Sequence, residues 1–508
     1  LAAFRYLIAM SSAKVYDYKP EQVERKLVKT LQHRKRESTV ADLIRETGLP
    51  KYQVAETIKT VARDYAGHMK VTESGEILYY FPDGLVNRNR GFGARLRRGL
   101  RKFGRAIGKA LTFLFKIWIV AMLIGYFVLF VALLVLAVVA SIAVSASSRE
   151  SGGGGRSRGF GGFGGLYLTV RVFEMFLWLW LYSGAGSVRK RRKPKSGRPL
   201  HQTVFSFVFG DGDPGADWEA TEKRAVLRFV QSHKGVISRE EFMALTGRDE
   251  YESQQLLNAL LVEFDGEPGV TEGGTLVFSF PEVMRTRELY EKEDVFHRER
   301  RPLIPFNRNS KKANGWIAFF NGFNFVFGSY FLIYSTLVAQ FNPERLLDRF
   351  YLIVANFIAQ VANPLPILAI GLGAVPVVFA ALFYAVPLLR RLGESRRNEE
   401  IKKNNLRKRI FNLAYRKPTE LNPDSIEPRD EVERPSSWKQ FVRETFNELA
   451  AVYRGEVEQT REARGEREAS YAFALPDLAF HREEVERYRE SIDTSKYELG
   501  KVTFDSGE

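Results

Sequence analysis

Cysteine is absent from the 508-residue chain, which excludes disulfides, thiolate zinc sites, iron–sulfur clusters and cysteine nucleophiles. Histidine is scarce: His33, His68, His201, His233, His297 and His481 are the whole set, and no HExxH or HxxxH spacing joins any two. Walker loops, nucleophile elbows and dinucleotide fingerprints are missing as well. The glycine-rich stretch at 147–165, including GFGGFGG, has no strand before it and no GK[ST] after it. It reads as a flexible linker, not a phosphate cradle. The GDGDP run at 210–214 lacks the ligand count and distal glutamate of a calcium loop, so a turn is expected there. No catalytic residue, cofactor or metal ligand is expected.

Charge is absent from 117–148, a run longer than the ~20 residues that cross a bilayer. A second arm is expected at 166–182, where Arg171 and Glu174 share a helix face and can pair. A further pair of segments lies at 315–390. Of these, 315–340 has spanning length, with Asn321 and Asn324 on one face as candidate intramembrane polar contacts that favour helix packing. The uncharged 350–389 is broken by Pro364 and Pro366, and is expected to split into an interfacial or re-entrant helix to 362 and a span over 365–389. The net charge of +16 collects beside these segments, at 88–109, 189–195 and 390–397. Such flanks are held on the cytoplasmic side.

The remaining sequence repeats. With Thr47-Gly48 set on Thr246-Gly247, the chain aligns without a gap to Phe81-Pro82 and Phe280-Pro281. Tyr52 meets Tyr251, Gly67 meets Gly266, Val71-Thr72-Glu73 meets Val270-Thr271-Glu272, and Gly75 meets Gly274. In the first copy the spacing predicts a helix over 21–34. Ser38 or Thr39 caps a second helix that Gly48 ends, and Pro50 opens a third. Strands over 70–72 and 76–81 flank Ser74-Gly75. Three helices and a two-stranded wing resemble the winged-helix fold, over about 65 residues per copy, and a fold-level likeness carries no activity.

Winged helices that bind nucleic acid bring cations on the third helix to phosphates. Lys51, Lys59 and Arg63 are the candidate contacts in the first copy, against Glu56 and Asp64. The second copy offers Arg248 against Asp249, Glu250, Glu252 and Glu263, which repels a phosphate backbone. Arg97, Arg98 and Arg101, interleaved with apolar residues in the first neck, suit anionic headgroups or a positive-inside stop signal.

The expected architecture is a mainly α membrane protein with two duplicated cytoplasmic winged-helix-like (α+β) domains, each followed by a transmembrane hairpin, plus a helical C-terminal tail. In order these are domain 1 over 1–85, a basic amphipathic neck over 86–116, hairpin 1 over 117–183 and a basic linker over 184–216. Domain 2 follows over 217–285, then a charged helix and neck over 286–314, hairpin 2 over 315–390 and the tail over 391–508. The chain resembles uncharacterised bacterial multi-pass membrane proteins, which implies an inner-membrane location with both termini cytoplasmic. The expected role is a non-enzymatic scaffold or subunit of a membrane complex. Its expected partners are anionic lipid headgroups, other protein subunits and a second copy of itself; nucleic acid is disfavoured. A membrane-tethered DNA-binding regulator and a transporter accessory subunit are the alternatives.

Overall fold

The computed structural model describes residues 16–33, 37–82, 84–85, 92–147, 198–287, 300–341, 348–419, 421–460 and 470–507. The Arg171–Glu174 pair, most of the glycine-rich linker, the basic run at 189–195 and most of the charged helix before the second neck lie outside these residues. So do the side chains of Arg97, Arg98 and Arg101.

In chain order the helices and strands begin with α1 (Pro20–His33), α2 (Val40–Thr47), α3 (Lys51–Asp64), β1 (His68–Thr72) and β2 (Ile77–Tyr80). Next come α4 (Phe92–Ser147) and α5 (Leu200–Phe209). A second set follows: α6 (Trp218–Ser232), β3 (Val236–Ser238), α7 (Arg239–Thr246), α8 (Glu250–Phe264), β4 (Glu267–Val270), β5 (Leu276–Ser279) and α9 (Pro281–Met284). Then come α10 (Lys311–Phe341), α11 (Arg349–Ala359), α12 (Val375–Arg416), α13 (Trp438–Val452), β6 (Glu456–Thr460), β7 (Ser470–Ala474), α14 (Pro476–Glu490) and β8 (Val502–Asp505). The chain divides into two compact units, one of 1–96, 213–304 and 396–508, the other of 97–212 and 305–395.

In the first unit, matching local chemistry builds α2 and α7. Thr39 caps α2 through the Asp42 N–H while Asp42 returns the bond, and Ser238 and Glu241 do the same for α7. Each such cap stabilises its helix by about 0.5–2 kcal/mol. Gly48 (φ +65°) and Gly247 (φ +73°) end the two helices in the left-handed region. A Cβ on Gly247 would lie 2.5 Å from the Asn404 carbonyl oxygen, so glycine is also required by close approach. Apolar residues of α1, α2, α3 and β2 (Leu27, Leu43, Ile58, Tyr79) share one core with those of α6, α7, α8 and β5 (Phe229, Phe242, Leu257, Phe278). A second core joins Met243 and Ala244 of α7 to Leu406 and Ile410 of α12, Phe446 of α13 and Phe473 of β7.

The C-terminal segment corrects the expectation of a helical tail. It contains three strands: β6 and β7 form a hairpin, and β8 joins the sheet β2-β1-β8. The other three-stranded sheet has the order β3-β5-β4, all antiparallel. β8 escapes pattern reading because it is four residues long and finds its partner across nearly the whole chain.

The second unit holds helices long and apolar enough to cross a membrane. Three candidate spans occur among the described residues: Ala106–Ile142, Lys311–Gln340 and Pro364–Arg416. The last continues beyond the unit into the basic half of α12. α11, with 11 residues, reaches only about 16 Å against a hydrocarbon thickness of about 30 Å. The chain breaks between Ala359 and Pro364, where Asn363 precedes proline and is extended. A π-helical turn, Ile367–Ala374, leads into α12; Pro376 there lacks the N–H that would bond Leu372. The stretch 200–216, expected as linker and turn, instead contains α5, whose Val204 and Val208 pack with Ile119, Ile317 and Phe383. Its VFSFVF run has one polar residue, Ser206, whose hydroxyl donates to Asp211 at 2.8 Å, so it lacks a polar stripe.

Candidate functional site

Of the residues expected to meet phosphate, Lys51 is engaged within the protein. Lys51, at the start of α3, places Nζ 2.9 Å from both Asp265 Oδ2 and Glu282 Oε2. Burial lowers its pKa, but hydrogen bonds to Asp265 and Glu282 outweigh this, and the net shift is upward. Lys59 pairs with Glu56 at 2.8 Å and Arg63 with Asp64 at 3.4 Å, both exposed. Exposed pairs contribute only about 0–1 kcal/mol, so these two cations stay accessible. On the matching face of the second set, Arg248 is held by Glu222 and Glu252, and Asp249 caps α8.

A buried ionic centre lies where α14 meets β3 and α7. Arg489 Nη2 donates to Glu241 Oε2 at 2.5 Å and to the Val236 carbonyl at 2.9 Å. Glu241 also accepts from the Ser238 N–H and the Tyr415 hydroxyl, each at 2.9 Å. Tyr415 titrates well above its usual range, first through burial and then through the Glu241 charge. Beside it, Glu240 contacts Arg239 and His481 at 3.2 and 3.3 Å. Burial raises the Glu240 pKa, but His481 and Arg239 outweigh it and hold it below its usual range. His233 stacks on Phe229 with centroids 3.8 Å apart. Its pKa is lowered, first by burial and then by the Arg489 charge. This centre fastens the C-terminal helix to the second set. Sequence reading missed it because each member sits in a charged stretch that looks solvated.

In the second unit, Asn321 Nδ2 donates to the Ala380 carbonyl at 3.0 Å and Asn324 Nδ2 to the Leu123 carbonyl at 2.7 Å. Both side chains are buried. They tie α10 to α12 and α4. Small residues close the same packing: a Cβ on Gly373 would lie 2.9 Å from Leu332 Cα. Around this unit Lys116, Arg308, Lys311 and Lys312 form no ion pair among the described residues. Trp118 and Trp316 are exposed nearby in sequence, as in the aromatic belts of membrane interfaces.

A cleft of about 610 Å³ opens between α8, α12 and α13, with Tyr251, Arg407, Phe411, Glu448 and Val452 among its lining. Its charges are mixed, with Asp249, Glu250 and Glu448 facing Arg239 and Arg407. Among the described residues no group of three or more metal-ligating side chains is assembled.

Fold and site together define a mostly helical protein with three candidate membrane-spanning helices and small antiparallel sheets. No family model matches the chain, and no solved structure matches it. Over 420 residues it is 23% identical to an uncharacterised chloroplast protein of Arabidopsis thaliana, covering 79% of this chain and 74% of the relative.

Proposed function

We propose that the chain is a non-enzymatic integral membrane scaffold, or a subunit of a membrane complex, whose two winged-helix-like modules make protein contacts. The observation that carries this is the state of the third helices. Lys51 is occupied by Asp265 and Glu282, and α8 presents Glu250 and Glu252 instead of a basic face. A phosphate backbone gains little from the first and is repelled by the second. Lys116, Arg308, Lys311 and Lys312, which form no ion pair among the described residues, suit anionic headgroups, extending the role expected of the first neck. Asn321 and Asn324 serve helix packing rather than a transport path, since each Nδ2 is spent on a neighbouring backbone carbonyl. The location is a bacterial inner membrane or, since the relative's name places that protein in the chloroplast, a membrane of that compartment.

The test is DNA binding by the full chain in nanodiscs over a series of salt concentrations. Weak binding that Lys51→Ala, Lys59→Ala and Arg63→Ala together leave unchanged is expected. Tight binding with a steep salt slope that the triple variant flattens would establish the membrane-tethered regulator instead.

A further inference from the structure

The two sets of elements differ in what covers one tyrosine of the third helix. Tyr52 and Tyr251 are the second residues of α3 and α8, and they meet at the offset that aligns the repeat. Two rings from the segment leading into α1 pack edge-on against Tyr52: Tyr16 at a centroid distance of 5.1 Å and Tyr18 at 6.3 Å. That segment reads Tyr16-Asp17-Tyr18-Lys19. Tyr251 is 70% exposed and has no ring partner among the described residues. A lone exposed tyrosine is ordinary on a protein surface, but Tyr251 stands on the rim of the cleft of about 610 Å³ between α8, α12 and α13.

This cleft has an apolar floor, in which Met243, Phe411 and Leu449 are buried. Most of its charges are already committed. Arg239 is held by Glu240 and Glu250, and Asp249 caps α8. Arg407 forms no ion pair or hydrogen bond among the described residues. Its guanidinium lies over the Phe441 ring, 5.4 Å from the centroid, and its Nε is shielded from solvent without an acceptor. A guanidinium so placed favours a carboxylate entering the cleft, because charge-assisted hydrogen bonds strengthen where water is excluded. Glu448, exposed at the rim, likewise forms no ion pair among the described residues.

We propose that this cleft docks an extended segment of a partner protein carrying aromatic, acidic, aromatic and basic residues in that order. The segment from Tyr16 to Lys19 brings the same chemistry to the matching tyrosine of the first set. In the cleft, the rings of the partner segment pack against Tyr251 and the apolar floor. Its carboxylate pairs with Arg407 and its ammonium meets Glu448. The first set is covered by its own chain, and the second is covered from outside. This deepens the reading of the modules as protein-contact domains, on which it rests, by naming the partner's chemistry.

The probe is the peptide acetyl-Tyr-Asp-Tyr-Lys-amide, fluorescently labelled on its lysine-side terminus and titrated with the full chain in nanodiscs. Saturable binding with Kd below about 1 mM is expected. Arg407→Gln should weaken it about tenfold, as loss of a charge-assisted bond does, and Tyr251→Ala about threefold to tenfold. A peptide with asparagine in place of aspartate should bind the unaltered chain about tenfold more weakly, yet lose almost nothing further on the Arg407→Gln chain. Tyr251 is exposed and Arg407 unpaired, and neither belongs to a core cluster, so both variants keep the fold. Tyr52→Ala should leave binding unchanged. Failure to saturate, equal affinity for the unaltered, Arg407→Gln and Tyr251→Ala chains, or loss with Tyr52→Ala instead each overturns the proposal. None of these outcomes alters the DNA-binding measurement, which decides the underlying reading separately.

Discussion

Replacing Arg489 with methionine should loosen the join between α14 and the β3–α7 segment more than any surface change. Arg489 is 4% exposed and its partner Glu241 is equally buried. Removing the guanidinium leaves the Glu241 carboxylate with the Ser238 N–H and the Tyr415 hydroxyl alone. An uncompensated buried charge costs about 3–5 kcal/mol, and the contact of Arg489 with the Phe229 ring at 5.8 Å goes too. At about 1.4 kcal/mol per decade, opening of this region should become more frequent by roughly two to three and a half orders of magnitude. Hydrogen exchange followed by mass spectrometry on the amides of 236–246 and 476–490 reads that opening locally, which suits a protein with several cores. Glu241→Gln keeps an acceptor for the cap, so pairing it with Arg489→Met should recover about 1–3 kcal/mol relative to additivity. Single and double variants that add without coupling, or an Arg489→Met chain whose exchange is unchanged, would refute the assignment of this pair as the fastening point.

Further outcomes follow from the same geometry. Gly247→Ala should destabilise by about 2–4 kcal/mol, from left-handed backbone plus the clash with Asn404, measured by thermal unfolding. Gly75→Ala, with the same strain at φ +80° but open space around it, should cost only about 1–2 kcal/mol. Neutral His233, its folded pKa lowered from 6.5, contributes stability that is complete above pH 6.5. That contribution is lost as pH falls from there through the folded value, because the unfolded chain takes the proton first. His233→Gln should flatten the stability–pH curve over that window, and an unchanged slope would show that other groups set it. Asn324→Leu should weaken packing of α10 on α4 by about 0.6 kcal/mol, and by no more than about 1.7 kcal/mol, read as a lower unfolding temperature in detergent.

Local signals carried much of the fold. Thr39 and Gly48 bracket α2 as their chemistry demands, Gly75 turns the β1–β2 hairpin at positive φ, and the Asn363-Pro364 step breaks 350–389 where proline sterics require. Periodicity could not reveal α5, since VFSFVF has no polar face, nor β8, whose side chains bury nothing. The buried ionic centre was equally hidden: Glu241 and Arg489 are drawn together by tertiary packing across hundreds of residues. For the candidate contacts, Lys51 lies at the start of α3, and its acceptors Asp265 and Glu282 come from the second set of elements, which no local pattern announces. Asn321 and Asn324 follow the rule that polar residues in an apolar helix find partners, each donating to a backbone carbonyl of a neighbouring helix.

Assembly of proteins at a membrane by this chain can be measured by mild-detergent purification from native membranes, with native mass measurement and identification of co-eluting material. The expected result is a particle heavier than one chain, containing a second copy or other proteins in fixed stoichiometry. A single bare chain carrying salt-sensitive DNA would contradict it.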